Sequence, residues 1–336
     1  MRTKSSIHTD IDFEKDGKQV SFLNLPYSPH TDAWGVIPIP IAVIKNGTGP
    51  TMLLMGGNHG DEYEGPITLG KLIRELDPAR IQGRLIFLPA ANTPAVIAGR
   101  RVSSVDDKNM NRCFPGEADG TPTSQITHYI DSVLFPMSDI LIDLHSGGSS
   151  LDLIPAAILQ VSEDKELANR IREAILAFNA PLTVAMDTLG EVRTSAAAAL
   201  KRGLVFIGTE MGSAGAVSRE GLRICERGVG NVMAHYSMIE APDPQPEAHT
   251  PTRMTTIEGA KSYVYAPDAG IFEPACDLGD TVEEGQIAGY VHFLDDPGRS
   301  PAAAEFKKSG MLFCRRAPGK VIRGNCVGII VNDYPG

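Results

Sequence analysis

Between residues 52 and 240 the apolar positions fall into short unbroken runs separated by amphipathic stretches. MLLMGG (52–57), RLIFLPA (84–90), DILIDLHSG (139–147) and GLVFIGTEMG (203–212) lack polar alternation, as strands buried on both faces do. Among them, GPITLGKLIRELD (65–77), EDKELANRIREAILAFN (163–179) and SREGLRICERGVGNVMAHYSMI (218–239) read as helices, and the second opens on an acidic turn. Strands interleaved with helices predict an α/β fold whose sheet is covered on both faces. In such folds ligands sit at the carboxyl ends of the strands.

The pattern then changes. APDPQPEAHTP (241–251) holds four prolines and cannot continue a helix, so it reads as a boundary. From about 254 to the end the chain is rich in Gly, Val and Ile, with turn signals at Gly279-Asp280 and Glu284-Gly285. The expectation is a domain over 1–245 followed by a small all-β domain over 246–336.

Composition narrows the function. A net charge of −10 in 336 residues argues against a phosphate-tracking surface, so no nucleic-acid partner is expected. No apolar stretch approaches the roughly 18 residues that span a bilayer, and the N-terminus has no apolar core of a secretory signal. No membrane association is expected, and the cytoplasm is the expected compartment. The five cysteines have no CxxC spacing and read as free thiols. Cys113 alone lies in a polar motif where a nucleophile could be imagined.

Chemistry concentrates after the strand-like runs. GGNHGDEYEG sets His59 and Glu62 three residues apart, and DLHSG ends a second run on His145. Catalytic zinc takes three protein ligands and keeps one position open, and His₂Glu is a common set. An isolated HxxE is a weak signal, and a single histidine at a strand end is more often structural. Both motifs following apolar runs, each beside glycine, make the stronger case. Asp143, on the same strand face as His145, is placed to orient its imidazole.

Glu210 follows another apolar run, where a carboxylate is costly to bury without a role; a loop carboxylate or cap is the plain alternative. KNMNRCFPG sets Asn111 beside Arg112, which could clamp a carboxylate, or Arg112 could simply pair with a structural acid.

Taken in order, GGNHGDEYEG, RVSSVDDKNMNRCFPG, DLHSGG and TEMG resemble the succinylglutamate desuccinylase/aspartoacylase family over about residues 20–335. The wording of LPYS…AWGVIPIPIAVIKNGTGPT and GGNHGDEYEGP is most similar to its branch that deacetylates N-alpha-acetyl-L-2,4-diaminobutyrate in ectoine breakdown. The resemblance implies a zinc-carboxypeptidase-like mixed sheet flanked by helices and a barrel-sandwich-like C-terminal domain that narrows access to the site. It implies one zinc per chain on His59, Glu62 and His145, Glu210 as base, and Arg101 (with Arg100 adjacent) polarising the scissile carbonyl. Asn111 and Arg112 then hold the α-carboxylate. Ser104-Val105-Asp106-Asp107 departs from the family's Pro-hydrophobic-Asp-Gly, which affects loop shape. The Glu283-Glu284 turn lacks the Met-Lys of a swinging-cofactor domain. The implied partner is a small N-acyl amino acid, with N-acetylaspartate or N-succinylglutamate as alternative substrates. A peptidase and a non-catalytic metal-binding scaffold are the other readings, and homo-oligomerisation stays open.

Overall fold

The computed structural model describes residues 4–186, 191–212, 214–240 and 250–335. Its first part carries β1 (Gly17–Pro26), β2 (Val36–Asn46), β3 (Thr51–Gly56), α1 (Glu64–Glu75), β4 (Gly83–Leu88), α2 (Thr93–Ala98), α3 (Pro122–Tyr129) and β5 (Ile140–Leu144). There follow β6 (Leu151–Leu153), β7 (Ala156–Gln160), α4 (Lys165–Phe178), β8 (Leu182–Met186), α5 (Ser195–Lys201), β9 (Val205–Glu210) and α6 (Arg219–His235). The last part is β10 (Arg253–Thr256), β11 (Tyr263–Tyr265), β12 (Gly270–Pro274), β13 (Thr281–Val282) and β14 (Ile287–His292), then β15 (Ala302–Glu305), β16 (Gly310–Arg316), β17 (Lys320–Val321) and β18 (Cys326–Asp333).

Strands β4, β3, β5 and β9 lie side by side and parallel, at the centre of the main sheet. Every residue of β3 and β5 is buried, which is why their sequences show no polar alternation. Successive side chains enter opposite layers. Met52 and Leu54 meet α1, α4 and α6, whereas Leu53 and Met55 meet α3, α5 and the β1–β2 hairpin. The expected α/β sheet covered on both faces is therefore present, with antiparallel additions that make it mixed.

The hairpin β1–β2 lies outside the segments expected from the sequence. Pro38 and Pro40 interrupt the pattern of β2, yet the strand tolerates them. β2 pairs with β4 only over residues 42–46, so both prolines fall where one side of the strand is unpaired.

The C-terminal strands continue the main sheet. β10 pairs parallel with β8 and antiparallel with β18, β16 pairs with β18, and β6 pairs back onto β16. A separate four-stranded antiparallel sheet, in the order β15-β14-β12-β17, stands beyond. The boundary expected at residues 245/246, like most of the proline-rich stretch, lies outside the described residues. No described helix is long and apolar enough to cross a membrane.

Candidate metal centre and substrate cavity

The carboxyl ends of β3, β5 and β9 converge, and each delivers one of the motifs. Past β3 the chain turns through Gly57, whose φ of +67° suits glycine. At Gly60 a Cβ would stand 2.0 Å from the backbone of Ala95, so only glycine lets this loop lie against α2. The loop buries His59 and Glu62 to 3% and 2% exposure. His145 follows β5 directly. Its N–H donates to the Thr209 hydroxyl (3.0 Å) and its carbonyl accepts from Met211 N–H (3.0 Å), which ties the ends of β5 and β9 together.

One ligand atom from each of His59, Glu62 and His145 lies within 4.8 Å of the others. His59 Nδ1 stands 2.7 Å from Glu62 Oε1, and His145 Nδ1 stands 2.8 Å from Glu62 Oε2. The far nitrogens are held from behind: His59 Nε2 by Asn109 Oδ1 at 3.1 Å, His145 Nε2 by Asp143 Oδ2 at 3.0 Å. Asn109 Oδ1 also accepts from Asn111 N–H (3.0 Å), which fixes the amide as acceptor and puts the His59 proton on Nε2. The Nδ1 lone pair then faces a carboxylate oxygen. Arg101 Nη1 lies 3.3 Å from the same nitrogen, and the imidazole–carboxylate–imidazole set, its three ligand atoms close together, suits a metal such as zinc. The residues fit the group.

Electrostatics agree. Burial raises the Glu62 carboxyl, but the two adjacent imidazoles outweigh it and hold it below the ordinary range. Burial likewise opposes charge on His145, yet Asp143 and Glu62 push it well above the usual histidine value. For His59 burial prevails and lowers it. The triad thus sits in a field that holds positive charge beside Glu62.

A cavity of about 340 Å³ opens over the triad. Arg101, Asn111, Arg112 and Glu210 all line it with His59, Glu62 and His145, and Asp143 stands behind at 0% exposure. Arg101 Nη1 lies 3.6 Å from Glu62 Oε1, whereas Arg100 faces outward and pairs with Asp107 at 2.8 Å. Of the two adjacent arginines, Arg101 is the one at the cavity. Glu210 Oε2 is buried with no hydrogen-bond partner among the described residues. Burial, reinforced by the charge on Glu62, pushes its carboxyl up to about 8. Cys113 is absent from the cavity lining; burial raises its thiol, and its Sγ contacts the Asn109 carbonyl at 3.3 Å, an unpromising nucleophile.

Four contributors escaped the sequence reading. Asn109 holds His59. Ser195, 1% exposed, donates its hydroxyl to Asp143 at 2.5 Å. Glu191 lines the cavity 3.4 Å from Arg112, and Tyr263 brings a C-terminal strand to it. The N-x-N spacing of 109–111 hints at a side-chain-capped turn, but nothing near Ser195 or Glu191 in sequence marks them. Asp61 and Glu64, in the same GDEYEG motif as Glu62, do not line the cavity. Asp61 accepts from Ser149 N–H (2.9 Å) and its hydroxyl (2.7 Å), and Glu64 from the Ser146 hydroxyl and Ser218 N–H, each at 2.7 Å.

Residues 48–236 match the model of the succinylglutamate desuccinylase/aspartoacylase catalytic domain. The chain belongs to this family. It is 41% identical over 326 residues to the N-alpha-acetyl-L-2,4-diaminobutyric acid deacetylase of Halomonas elongata, covering 97% of this chain and 95% of that protein. Among solved structures, a succinylglutamate desuccinylase/aspartoacylase from Rhodobacter sphaeroides is 41% identical with a TM-score of 0.93, over 98% of this chain and 100% of that one. The product-bound ectoine utilization protein EutE (DoeB) from Ruegeria pomeroyi is 37% identical with a TM-score of 0.94, over 98% and 100% of the two chains.

Proposed function

We propose that this chain is a zinc-dependent deacylase of N-acyl amino acids, and that its substrate is N-alpha-acetyl-L-2,4-diaminobutyrate. One observation carries the class: a His₂Glu triad, the Glu210 carboxylate with one buried oxygen unpartnered among the described residues, an arginine and an Asn-Arg pair share a single small cavity. About 340 Å³ suits a small molecule better than an extended peptide. The choice of side chain rests on the relatives, one a deacetylase of that compound and one an ectoine utilization protein. Charge alone does not decide it, since the cavity holds Arg101 and Arg112 as well as Glu62, Glu191 and Glu210.

Bound at His59, Glu62 and His145, zinc would polarise the acyl oxygen and acidify water. The remaining steps belong to the chain. Asn111 and Arg112 hold the α-carboxylate and so fix the amide over the triad. Arg101 places its guanidinium where negative charge grows on the acyl oxygen. Glu210 takes a proton from the attacking water and hands it to the departing amine nitrogen. With a divalent cation held by His59, Glu62 and His145, the Glu210 carboxyl would fall from its raised value and stand ionised as the base. The products are acetate and a free amino acid.

A panel of N-acyl amino acids at matched concentration tests the substrate. The expected order in kcat/KM is N-alpha-acetyl-L-2,4-diaminobutyrate first, then N-acetylaspartate and N-succinylglutamate. N-acetylaspartate in first place would overturn the substrate and leave the deacylase standing; no amide hydrolysis by zinc-loaded protein would overturn both.

A further inference from the structure

The carboxylate clamp and the metal ligands come from different elements, and a buried serine joins them. Ser195 is the first residue of α5, and its N–H donates to Asn111 Oδ1 at 2.9 Å. Its hydroxyl donates to Asp143 Oδ2 at 2.5 Å, the same oxygen that holds His145 Nε2 at 3.0 Å. Asn58 adds a longer contact to that oxygen at 3.3 Å, while Asp143 Oδ1 has no partner among the described residues. Ser195 therefore supplies the shortest hydrogen bond to the carboxylate that orients a metal ligand. With its backbone it also fixes the amide of the clamp.

We propose that Ser195 is a positioning residue that holds the Asn111 clamp and the metal-ligating His145 in one register. This rests on the reading of the triad as a zinc site. The physical reason lies in the freedom of Asp143. A carboxylate on Cβ rotates about χ1 and χ2, and with one oxygen unpartnered its direction depends on the donors at Oδ2. Removing the hydroxyl leaves the weaker Asn58 contact as the remaining protein donor besides the imidazole. His145 then loses its fixed orientation. The same loss loosens the start of α5, against which Asn111 rests, so substrate binding and metal binding weaken together. A residue with a merely structural role would lower stability and leave both constants alone.

The test measures zinc affinity by competition with a chromophoric chelator, alongside steady-state kinetics. In Ser195→Ala the zinc affinity should fall about tenfold, with KM raised more than kcat is lowered. Ser195→Thr, which keeps the hydroxyl, should recover most of the affinity. Thr183→Val serves as control, because it removes another buried hydroxyl contact, Thr183 Oγ1 to Thr252 Oγ1 at 2.9 Å, away from the cavity. It should lower Tm without changing zinc affinity. Should Ser195→Ala not fold, Asn111→Ala decides: it removes the other hydrogen bond by which Ser195 joins clamp and ligand, at a less buried residue, and zinc affinity should drop severalfold although Asn111 is no ligand. Zinc affinity within twofold of wild type in Ser195→Ala, or in Asn111→Ala where that variant decides, overturns the proposal, as does an equal loss in Thr183→Val. Wild-type protein that takes up no zinc would remove the underlying metal reading itself, a distinct result.

Discussion

The strand ends that carry the chemistry and the C-terminal strands that extend the sheet are built on opposite principles. At the ends of β3, β5 and β9, Glu62 and Asp143 are packed out of water and His145 is mostly covered, held by neighbours that supply charge and hydrogen bonds. Where β8, β10, β16 and β18 adjoin, the packing is apolar: Leu153, Leu182, Val184, Ile257, Phe313 and Val331 form a common cluster. Burying charged groups is destabilising unless they are paired, so the first region spends stability on function. The second supplies apolar closure, and it joins residues on both sides of position 245. Substitutions in the first region should therefore alter turnover at nearly constant stability, and those in the second the reverse.

The largest effect expected is at Glu210. Glu210→Gln removes the proposed base while keeping size and shape, so turnover should fall by about 10²–10⁴-fold with zinc content and Tm close to wild type. Kinetics measured on metal-replete protein check this; a loss below about tenfold would assign the base elsewhere. Next comes the other side of the comparison. Phe313, 3% exposed, sits in the shared apolar cluster, and Phe313→Ala should cost about 3–5 kcal/mol of stability. Denaturant unfolding reads the loss, and kcat at temperatures where the variant stays folded should be little changed. If instead Phe313→Ala abolished turnover while remaining stable, the division of labour between the two regions would fail. Cutting the chain ahead of residue 250 carries the same logic further: it strips β10 from β8 and β16 from β6, so the remaining part should not reach wild-type stability.

The first region was far more legible in the sequence than the second, and the reason is range. Buried parallel strands announce themselves as unbroken apolar runs, so β3, β4, β5 and β9 were recognisable, and amphipathic spacing showed α1, α4 and α6. His59 and Glu62 share one loop, and Asp143 and His145 share one strand end, so local order already grouped them. That β3 and β5 are neighbours is what turns two motifs into one triad. The partners found only in three dimensions act across long separations. Asn109 reaches His59 across 50 residues, and Ser195 reaches Asp143 across 52. The continuity of the sheet through β8, β10 and β18 was hidden for the same reason, because strand pairing leaves no local trace. Asp61 and Glu64 share the short motif of His59 and Glu62, yet each is turned into a hydrogen bond away from the cavity, which local order does not show.

A smaller effect tests the electrostatics of the first region. In metal-free protein the Glu210 carboxyl is raised from 4.5 to about 8, chiefly by burial and then by Glu62. A raised carboxyl contributes stability that is complete below its unfolded value and is lost as pH climbs through the folded one. Metal-free wild type should therefore lose stability relative to metal-free Glu210→Gln between about pH 5 and pH 8, and zinc should narrow the gap. Thermal unfolding of both proteins across that range measures it. A gap independent of pH would show that Glu210 is already ionised in the empty site.

The central claim, that a metal held by His59, Glu62 and His145 drives amide hydrolysis, is tested most directly by zinc content and activity measured on the same samples. Purified protein should carry about one zinc per chain, lose hydrolysis of N-alpha-acetyl-L-2,4-diaminobutyrate on chelation, and regain it when zinc is restored. His145→Ala should bind zinc poorly and stay inactive at stoichiometric metal. Full zinc content and full activity in His145→Ala would contradict the account.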